Sequence, residues 1–324
     1  MKNPRIVFMG TPRFAVASLG SLLINGFNVS GVVTTPDKPA GRGRKICASP
    51  VKEFAVSNYL PVMQPVNLSD PDFLNSFISL IPDIFIVVAF RMLPEPVWKI
   101  PPLGTFNLHA SLLPQYRGAA PVNHAIINGE TVTGVTTFLI DDKIDTGNIL
   151  LRKEVNIFPF ENAGDLHDRL MKHGAHLVIE TLRGIIENKI EPQPQQNFMM
   201  PGEVLKKAPK IFPSDSVIDW NNDPKQIHNL IRGLAPEPCA GSTLVKGNKS
   251  VSFKIYESYP EAASHSFEPG SIISDGKEKM KTACKGGYVN ILQLKPEGRK
   301  RMSTPEFLRG FRLSDYSIIT DQRV

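Results

Sequence analysis

The sequence predicts an α/β protein: a mostly parallel sheet covered on both faces, followed by a small β-barrel. Three observations predict it. Near-continuous apolar runs such as Ile84–Ala89 alternate with helical periods through the first half, as strands buried on both faces do. A proline- and glutamine-rich stretch, residues 190–197, has no periodicity and reads as a linker. Beyond it, short strand-like runs separated by Gly and Pro turns follow at the spacing of a small barrel.

Ile6–Met9 reads as a buried strand, and Phe14–Ile24 as a helix after the Gly10-Thr11-Pro12 turn. Val29–Thr34 is a second strand. Ser49-Pro50 offers an N-cap with proline at the first helical position, starting a helix that reaches about Asn58. Ser69–Leu80 reads as another helix, Ile84–Ala89 as a central strand and Ala119–Asn128 as a helix. Val135–Ile140 and Asn148–Val155 read as antiparallel strands, and Ala163–Glu187 as one long helix. After the linker come a helix at Pro224–Gly233 and strand-like runs at Thr243–Val245, Ser250–Tyr256, Gly270–Ile273, Lys281–Ala283 and Tyr288–Lys295. The expected division is residues 1–190, a linker over 191–209, and residues 210–324.

A chain of 324 residues is long for one domain and comfortable for two, and 41% hydrophobic residues supply their cores. No run approaches the roughly 18 apolar residues of a membrane span. Met1–Gly10 passes directly into a strand and turn, so no signal or transit peptide is expected. Cys47, Cys239 and Cys284 are odd in number and far apart, forming neither a disulfide framework nor a metal cluster; a reducing cytoplasm is expected. Residues 1–205 carry equal numbers of basic and acidic side chains, so the whole net charge of +6 lies in residues 206–324. A basic module behind a neutral one points to a polyanionic partner.

The chemistry concentrates in Asn107-Leu108-His109-Ala110-Ser111-Leu112-Leu113-Pro114 and in Asp145, on the loop after the strand-like 136–140 run. Asn107 and His109 are two apart at the end of an apolar run, so in an extended backbone both side chains leave one face. A carboxamide, an imidazole and a carboxylate suit acyl transfer to an amine, which needs oxyanion stabilisation and proton removal. A nicotinamide cofactor is rejected. Gly10-Thr11-Pro12 carries one glycine where a dinucleotide fold has three, and Gly41-Arg42-Gly43 follows no apolar strand.

Several segments carry a resemblance: Phe8-Met9-Gly10-Thr11-Pro12, Pro36-Asp37-Lys38-Pro39-Ala40-Gly41-Arg42-Gly43, residues 107–114, Tyr116-Arg117-Gly118-Ala119-Ala120-Pro121 and residues 142–147. Ala208-Pro209-Lys210-Ile211, Ile218-Asp219-Trp220 and Arg301-Met302-Ser303 extend it. Together they resemble the methionyl-tRNA formyltransferases, within the 10-formyltetrahydrofolate-dependent formyltransferases, over nearly the whole chain. The resemblance implies a Rossmann-like catalytic domain and an OB-like β-barrel, with formyl transfer from 10-formyltetrahydrofolate to the α-amine of initiator methionyl-tRNA, without a metal. It implies Asn107, His109 and Asp145 as the catalytic positions. It implies folate contacts from Ser111, Leu112, Leu113 and Pro114, and pterin contacts from backbone around Val88, Phe90, Arg91 and Leu93 and from Asp141 and Ile144. Phe90-Arg91 departs from the Tyr-Gly expected at that place.

The segment Lys38–Lys45 reads as a basic, glycine-flexed loop, expected to meet the acceptor stem through Arg42, with Arg44 and Lys45 on phosphates. Lys206, Lys207 and Lys210 are expected to continue the tRNA path, with Lys246, Lys249, Arg299, Lys300 and Arg301 beyond them. Direct transfer without a covalent intermediate is expected, because no G-x-S-x-G elbow surrounds Ser111. The family is typically monomeric, and no dimer seam is evident. Two rivals remain at this point: a formyltransferase acting on a small amine such as a sugar nucleotide, and an RNA-binding module without catalysis.

Overall fold

The structure, a computed structural model, describes residues 3–40, 43, 45–313 and 316–318. Its first strands are β1 (Ile6–Gly10), β2 (Val29–Val33), β3 (Lys38–Ala40), β4 (Lys45–Cys47) and β5 (Val62–Met63). They are followed by β6 (Ile84–Val88), β7 (Thr105–His109), β8 (Arg117–Gly118), β9 (Val132–Leu139) and β10 (Ile149–Asn156). One seven-stranded sheet runs in the order β10-β9-β7-β6-β1-β2-β5. Its strands are parallel from β5 to β7; β9 and β10 close that edge antiparallel. Every residue of β1 and β6 is buried, as two-sided coverage requires.

Local choices fix the helices around this sheet. Ser49 caps the helix Pro50–Ser57 by accepting from Lys52 N, with proline at the first position as expected. Asp70 does the same for Pro71–Ile78. Gly174, on the helix Ala163–Ile186, allows close approach to β7: a Cβ there would lie 2.7 Å from Leu108 Cδ2. On the same helix, Thr181 meets Thr137 of β9 through a buried 2.7 Å hydroxyl pair. The helix therefore braces the strand that carries Asn107 and His109.

The chain divides into two compact units. One comprises Met1–Pro121, Val132–Asn156 and His167–Lys207; the other comprises Val122–Thr131, Ile157–Leu166 and Ala208–Val324. This differs from the division read from the sequence at two places. Residues 122–131 and 157–166 group with the second unit, and residues 191–207 group with the first. Gln193 pairs antiparallel with Ile149, and Phe198 packs on Leu113, Phe138 and Ile149. A proline- and glutamine-rich composition conceals such anchoring because it rests on two side chains and one bridge rather than on a periodic face. The glycine-flexed loop is also more ordered at its base than expected. Lys38, Pro39 and Ala40 pair with Cys47, Ile46 and Lys45 in a short ribbon. Asp37 anchors its start by accepting from Lys52 and Gln64.

The second unit holds an antiparallel sheet in the order Ile272–Ser274, Met280–Cys284, Gly287–Pro296, Lys249–Ala262, Ala240–Lys246, Ser317–Ile318. Register shifts at Ile255/Glu257 and Glu257/Ser258 let the 14-residue strand bend so that the sheet nearly closes into a barrel. Its core gathers Trp220, Ile231, Phe253, Leu294 and Phe307, and Trp220 Nε1 donates to Ser242 Oγ. Four of the barrel runs read from the sequence fall inside these strands, and the run Gly270–Ile273 overlaps the strand Ile272–Ser274 at its end. The helix Thr304–Gly310, capped by Ser303 and Glu306, was not among the elements the sequence revealed.

His228, on the capped helix Pro224–Leu234, is buried against Ser258. Burial, with repulsion from Arg232, pushes its imidazole down to about 4. An unfolded histidine takes its proton near about 6.5. Between those values the unfolded chain binds more protons, so stability is present above about pH 6.5 and falls as pH drops through 4. The slope from this group reaches about 1.4 kcal/mol per pH unit. Urea unfolding of the wild type and His228→Gln between these pH values should show a steeper acid loss in the wild type. Equal slopes would contradict the assignment.

Candidate active site

The sheet reverses its winding between β1 and β6, since β2 lies on one side of β1 and β6 on the other. In open α/β sheets the crevice beyond the carboxyl ends of strands at such a point is where ligands bind. The carboxyl end of β7 lies beside it. Within β7, Asn107 pairs with Val87 of β6 and Phe138 of β9, and His109 pairs with Thr136. The two-residue period puts both side chains on the same face, as the sequence predicted. Asn107 is partly exposed, and His109 is buried to 7%.

Asp145 reaches the same place from the loop between β9 and β10. Its Oδ2 lies 3.8 Å from His109 Nδ1 and accepts a 3.0 Å hydrogen bond from Gly118 N. The other ring nitrogen, Nε2, lies 2.9 Å from the carbonyl oxygen of Tyr116. A carbonyl only accepts, so Nε2 carries a proton and Nδ1 is the nitrogen left to exchange one. Nδ1 faces the carboxylate across a gap too long for a direct hydrogen bond. A polar hydrogen of a substrate would bridge two acceptors there.

The loop backbone is shaped for this. Asp145 takes a left-handed φ of 56° and Tyr116 one of 61°. Gly147 passes so close to β9 that a Cβ would lie 1.7 Å from Leu139 O. Asp141 closes the loop by accepting from Thr146 Oγ1 at 2.8 Å and from Lys143 N at 3.1 Å. Gln195, which sequence reasoning missed, is the further polar residue here. It is 2% exposed and donates from Nε2 to Asp145 O and Gly147 O, both at 2.9 Å. Its Oε1 accepts from Arg117 Nε and Nη2 at 3.1 and 2.7 Å. A lone glutamine in a Gln/Pro run gives no periodic signal by which to find it.

The remaining expected positions separate by burial. Ser111 is fully buried, and its hydroxyl donates to Gln115 O at 2.6 Å. Leu113 is in the core with Phe138 and Ile149, and Leu93 is in the core with Val7, Val87 and Val97. Pro114 and Val88 are buried as well, whereas Leu112, Phe90 and Asp141 are partly exposed and Ile144 is 64% exposed. Side-chain contact with a ligand is thus open to Leu112, Phe90 and Ile144; Val88 and Leu93 offer backbone. Arg91 turns its guanidinium to Val66 O at 2.7 Å and to Pro65 O.

Among the basic positions, Lys206 and Lys207 are exposed in the first unit, and the backbone N–H of Lys206 donates to Gln115 Oε1. Lys210 is exposed in the second unit over the ring of Phe212. Arg42 and Arg44 lie outside the described residues, and of Lys45 only the backbone is described. Arg301 is committed otherwise: it pairs with Glu257 and Gln293 and stacks on Tyr256. No group of three or more His, Cys, Asp or Glu residues suited to a metal ion occurs among the described residues.

The family model described as formyl transferase matches residues 4–182, and that described as formyl transferase, C-terminal domain, matches residues 210–312. A methionyl-tRNA formyltransferase of Bacteroides fragilis is 50% identical over 312 residues, covering 96% of each chain. One of Flavobacterium johnsoniae is 51% identical over 315 residues, covering 97% of this chain and 98% of its own. Among solved structures, an N-formyltransferase of Helicobacter canadensis with folinic acid and dTDP-3-aminofucose aligns with a TM-score of 0.63 at 22% identity. That alignment covers 90% of this chain and 100% of the other. HypX of Aquifex aeolicus with tetrahydrofolic acid gives 0.62 at 18% identity, over 97% of this chain and 50% of HypX. At such identities these two likenesses speak to the fold.

Gly147→Ala should force the loop away from Leu139 and cost about 1–3 kcal/mol, the usual penalty of overpacking. Thermal or urea unfolding would measure it; a variant as stable as the wild type would show that the close approach is not required.

Proposed function

The chain belongs to the formyl transferase family, both of whose domains it carries in order, and we propose that the His109 site performs its chemistry. The protein transfers a formyl group from 10-formyltetrahydrofolate to the α-amine of methionyl-initiator tRNA, providing N-formylmethionyl-tRNA for translation initiation. The observation that carries the assignment of the site is the approach of Asp145 to His109 Nδ1, on the strand that displays Asn107.

The residues fit a folate co-substrate. Partly exposed Phe90 and Leu112 and exposed Ile144 offer apolar surface to a flat heterocycle, and the backbone beyond β6 offers hydrogen-bonding edges. Bound there, the co-substrate supplies a formyl carbon activated toward an amine. Asn107 donates its carboxamide N–H to the oxygen on which charge develops, a contribution worth about 100- to 1000-fold in turnover where such donors have been removed. His109, with Nε2 committed to Tyr116, presents Nδ1 to the incoming amine. Asp145 holds the opposite side of that gap and takes the amine proton as the new C–N bond forms. On collapse of the tetrahedral adduct the formyl C–N10 bond to the folate would break, N10 would receive that proton, and tetrahydrofolate would leave. Ser111 is no nucleophile on this account: it is fully buried and its hydroxyl is engaged by Gln115 O.

We assign catalysis to the first compact unit and tRNA binding to the second, in place of the 1–190, 191–209 and 210–324 division read from the sequence. Lys206, Lys207 and Lys210 then meet the tRNA backbone, and we assign Arg42, Arg44 and Lys45 to the acceptor stem. In the second unit, a cleft of about 1230 Å³ lined in part by Phe212, Lys254, Tyr256 and Lys295 offers cations beside aromatic rings, a combination suited to nucleic acid. We assign the protein to the cytoplasm as a monomer; no helix among the described residues is long and apolar enough to cross a membrane. A sugar-nucleotide acceptor is the lesser reading: a solved sugar 3N-formyltransferase is 22% identical to this chain, whereas a methionyl-tRNA formyltransferase of Bacteroides fragilis is 50% identical.

Asp145→Asn should lower turnover about 100- to 10,000-fold, the range for a lost acid–base group, while tRNA binding is preserved. Equal turnover would remove Asp145 from the chemistry. The wild type should formylate methionyl-tRNA and leave a dTDP-amino sugar untouched; the reverse preference would overturn the acceptor. The KM for tRNA should rise steeply between about 50 and 200 mM salt as counterion release weakens phosphate contacts. A flat response would exclude the basic path.

A further inference from the structure

We propose that Gln195 is a positioning residue for this reaction, acting through Asp145. The inference rests on the reading of the His109 site given above. Its starting point is the completeness of the Gln195 bonding: a primary amide has two N–H donors and an oxygen with two lone pairs, and all four are used. The donors go to Asp145 O and Gly147 O, and the oxygen takes both contacts from Arg117. With 2% of its surface exposed, the side chain is shielded from bulk solvent.

The segments it joins are the two that define the site. Asp145 and Gly147 belong to the loop that delivers the carboxylate. Arg117 stands between Tyr116, whose carbonyl fixes the His109 ring, and Gly118, whose N–H holds the Asp145 carboxylate. One amide therefore sets the separation of the proton-accepting group from the imidazole. Asp145 also needs the help. Its φ of 56° is a conformation that L-residues leave unless their surroundings impose it. The clamp itself is anchored. Gln193 exchanges both backbone hydrogen bonds with Ile149 at 2.8 Å, and Phe198 packs on Leu113, Phe138 and Ile149. The proline- and glutamine-rich stretch, part of the first unit, thus supplies part of the catalytic geometry.

The full-length variants Gln195→Met and Gln195→Glu test this. Met conserves volume and removes every hydrogen bond. Glu can still pair with Arg117 but sets an acceptor against two carbonyls, so it isolates the Asp145 side of the clamp. Both should lower kcat about 100-fold, as misplacement of a reacting group by about 1 Å does, with KM for tRNA and folate unchanged. The double variant Gln195→Met/Asp145→Ala should be no slower than Asp145→Ala alone, because the glutamine acts only through that carboxylate. Hydrogen exchange of the amides over residues 141–148 should accelerate in Gln195→Met. Wild-type kcat in Gln195→Glu, multiplicative losses in the double variant, or unchanged exchange would each overturn the proposal. If the wild type formylates no acceptor, the reading of function falls, while the exchange measurement still decides whether the clamp exists.

Discussion

The site depends on a single commitment, the hydrogen bond from His109 Nε2 to the Tyr116 carbonyl. Because that acceptor has no proton to give, the tautomer is decided by the backbone and not by the substrate. Everything else follows from which nitrogen is left over. Nδ1 faces Asp145, Asp145 is held by Gly118 N, and Gly118 lies two residues from the carbonyl that began the chain of constraints. Imidazole, carboxylate and turn thus form a closed loop of mutual restraints within one compact unit. The sheet behind them is rigid, with β7 flanked on both sides and the helix Ala163–Ile186 seated on it through Gly174.

Much of this was legible in the sequence because it follows from short-range periods. The strands of the first half are apolar runs of strand length, and the two-residue spacing of Asn107 and His109 puts them on one face whatever the rest of the chain does. Ser49-Pro50 announced its helix through cap chemistry that needs no tertiary context. The barrel runs were visible as strand-like segments between turns, although the register shifts that bend Lys249–Ala262 were not. Asp145 was placed by the resemblance and by its loop; its distance from His109 is a property of the folded chain.

What escaped notice is non-local. Residues 122–131 and 157–166 group with the second unit through contacts distant in sequence, which no local composition reveals. Gln195 sits in a run of prolines and glutamines whose composition is that of a spacer, and its role comes from the carbonyls it meets. Leu93 and Leu113 turn their side chains into the core, because a wall must also be packed from behind; for Leu93 the expected contact is through backbone and is unaffected by this. Arg301, expected along the tRNA path, also meets Glu257 and Gln293, partners distant in sequence that no local composition announces.

Arg91 stands where a smaller residue was expected, and its guanidinium reaches back to the carbonyls of Pro65 and Val66 beyond β5. Neither acceptor bears a net charge, so the tether leaves the arginine cationic while stopping its motion. A glycine at that place would leave the rim of the crevice to be ordered when a ligand arrives, at an entropic cost charged against affinity. Here the rim is stitched to the neighbouring segment beforehand. The chain thereby exchanges adaptability at that segment for a conformation that its own backbone carbonyls hold.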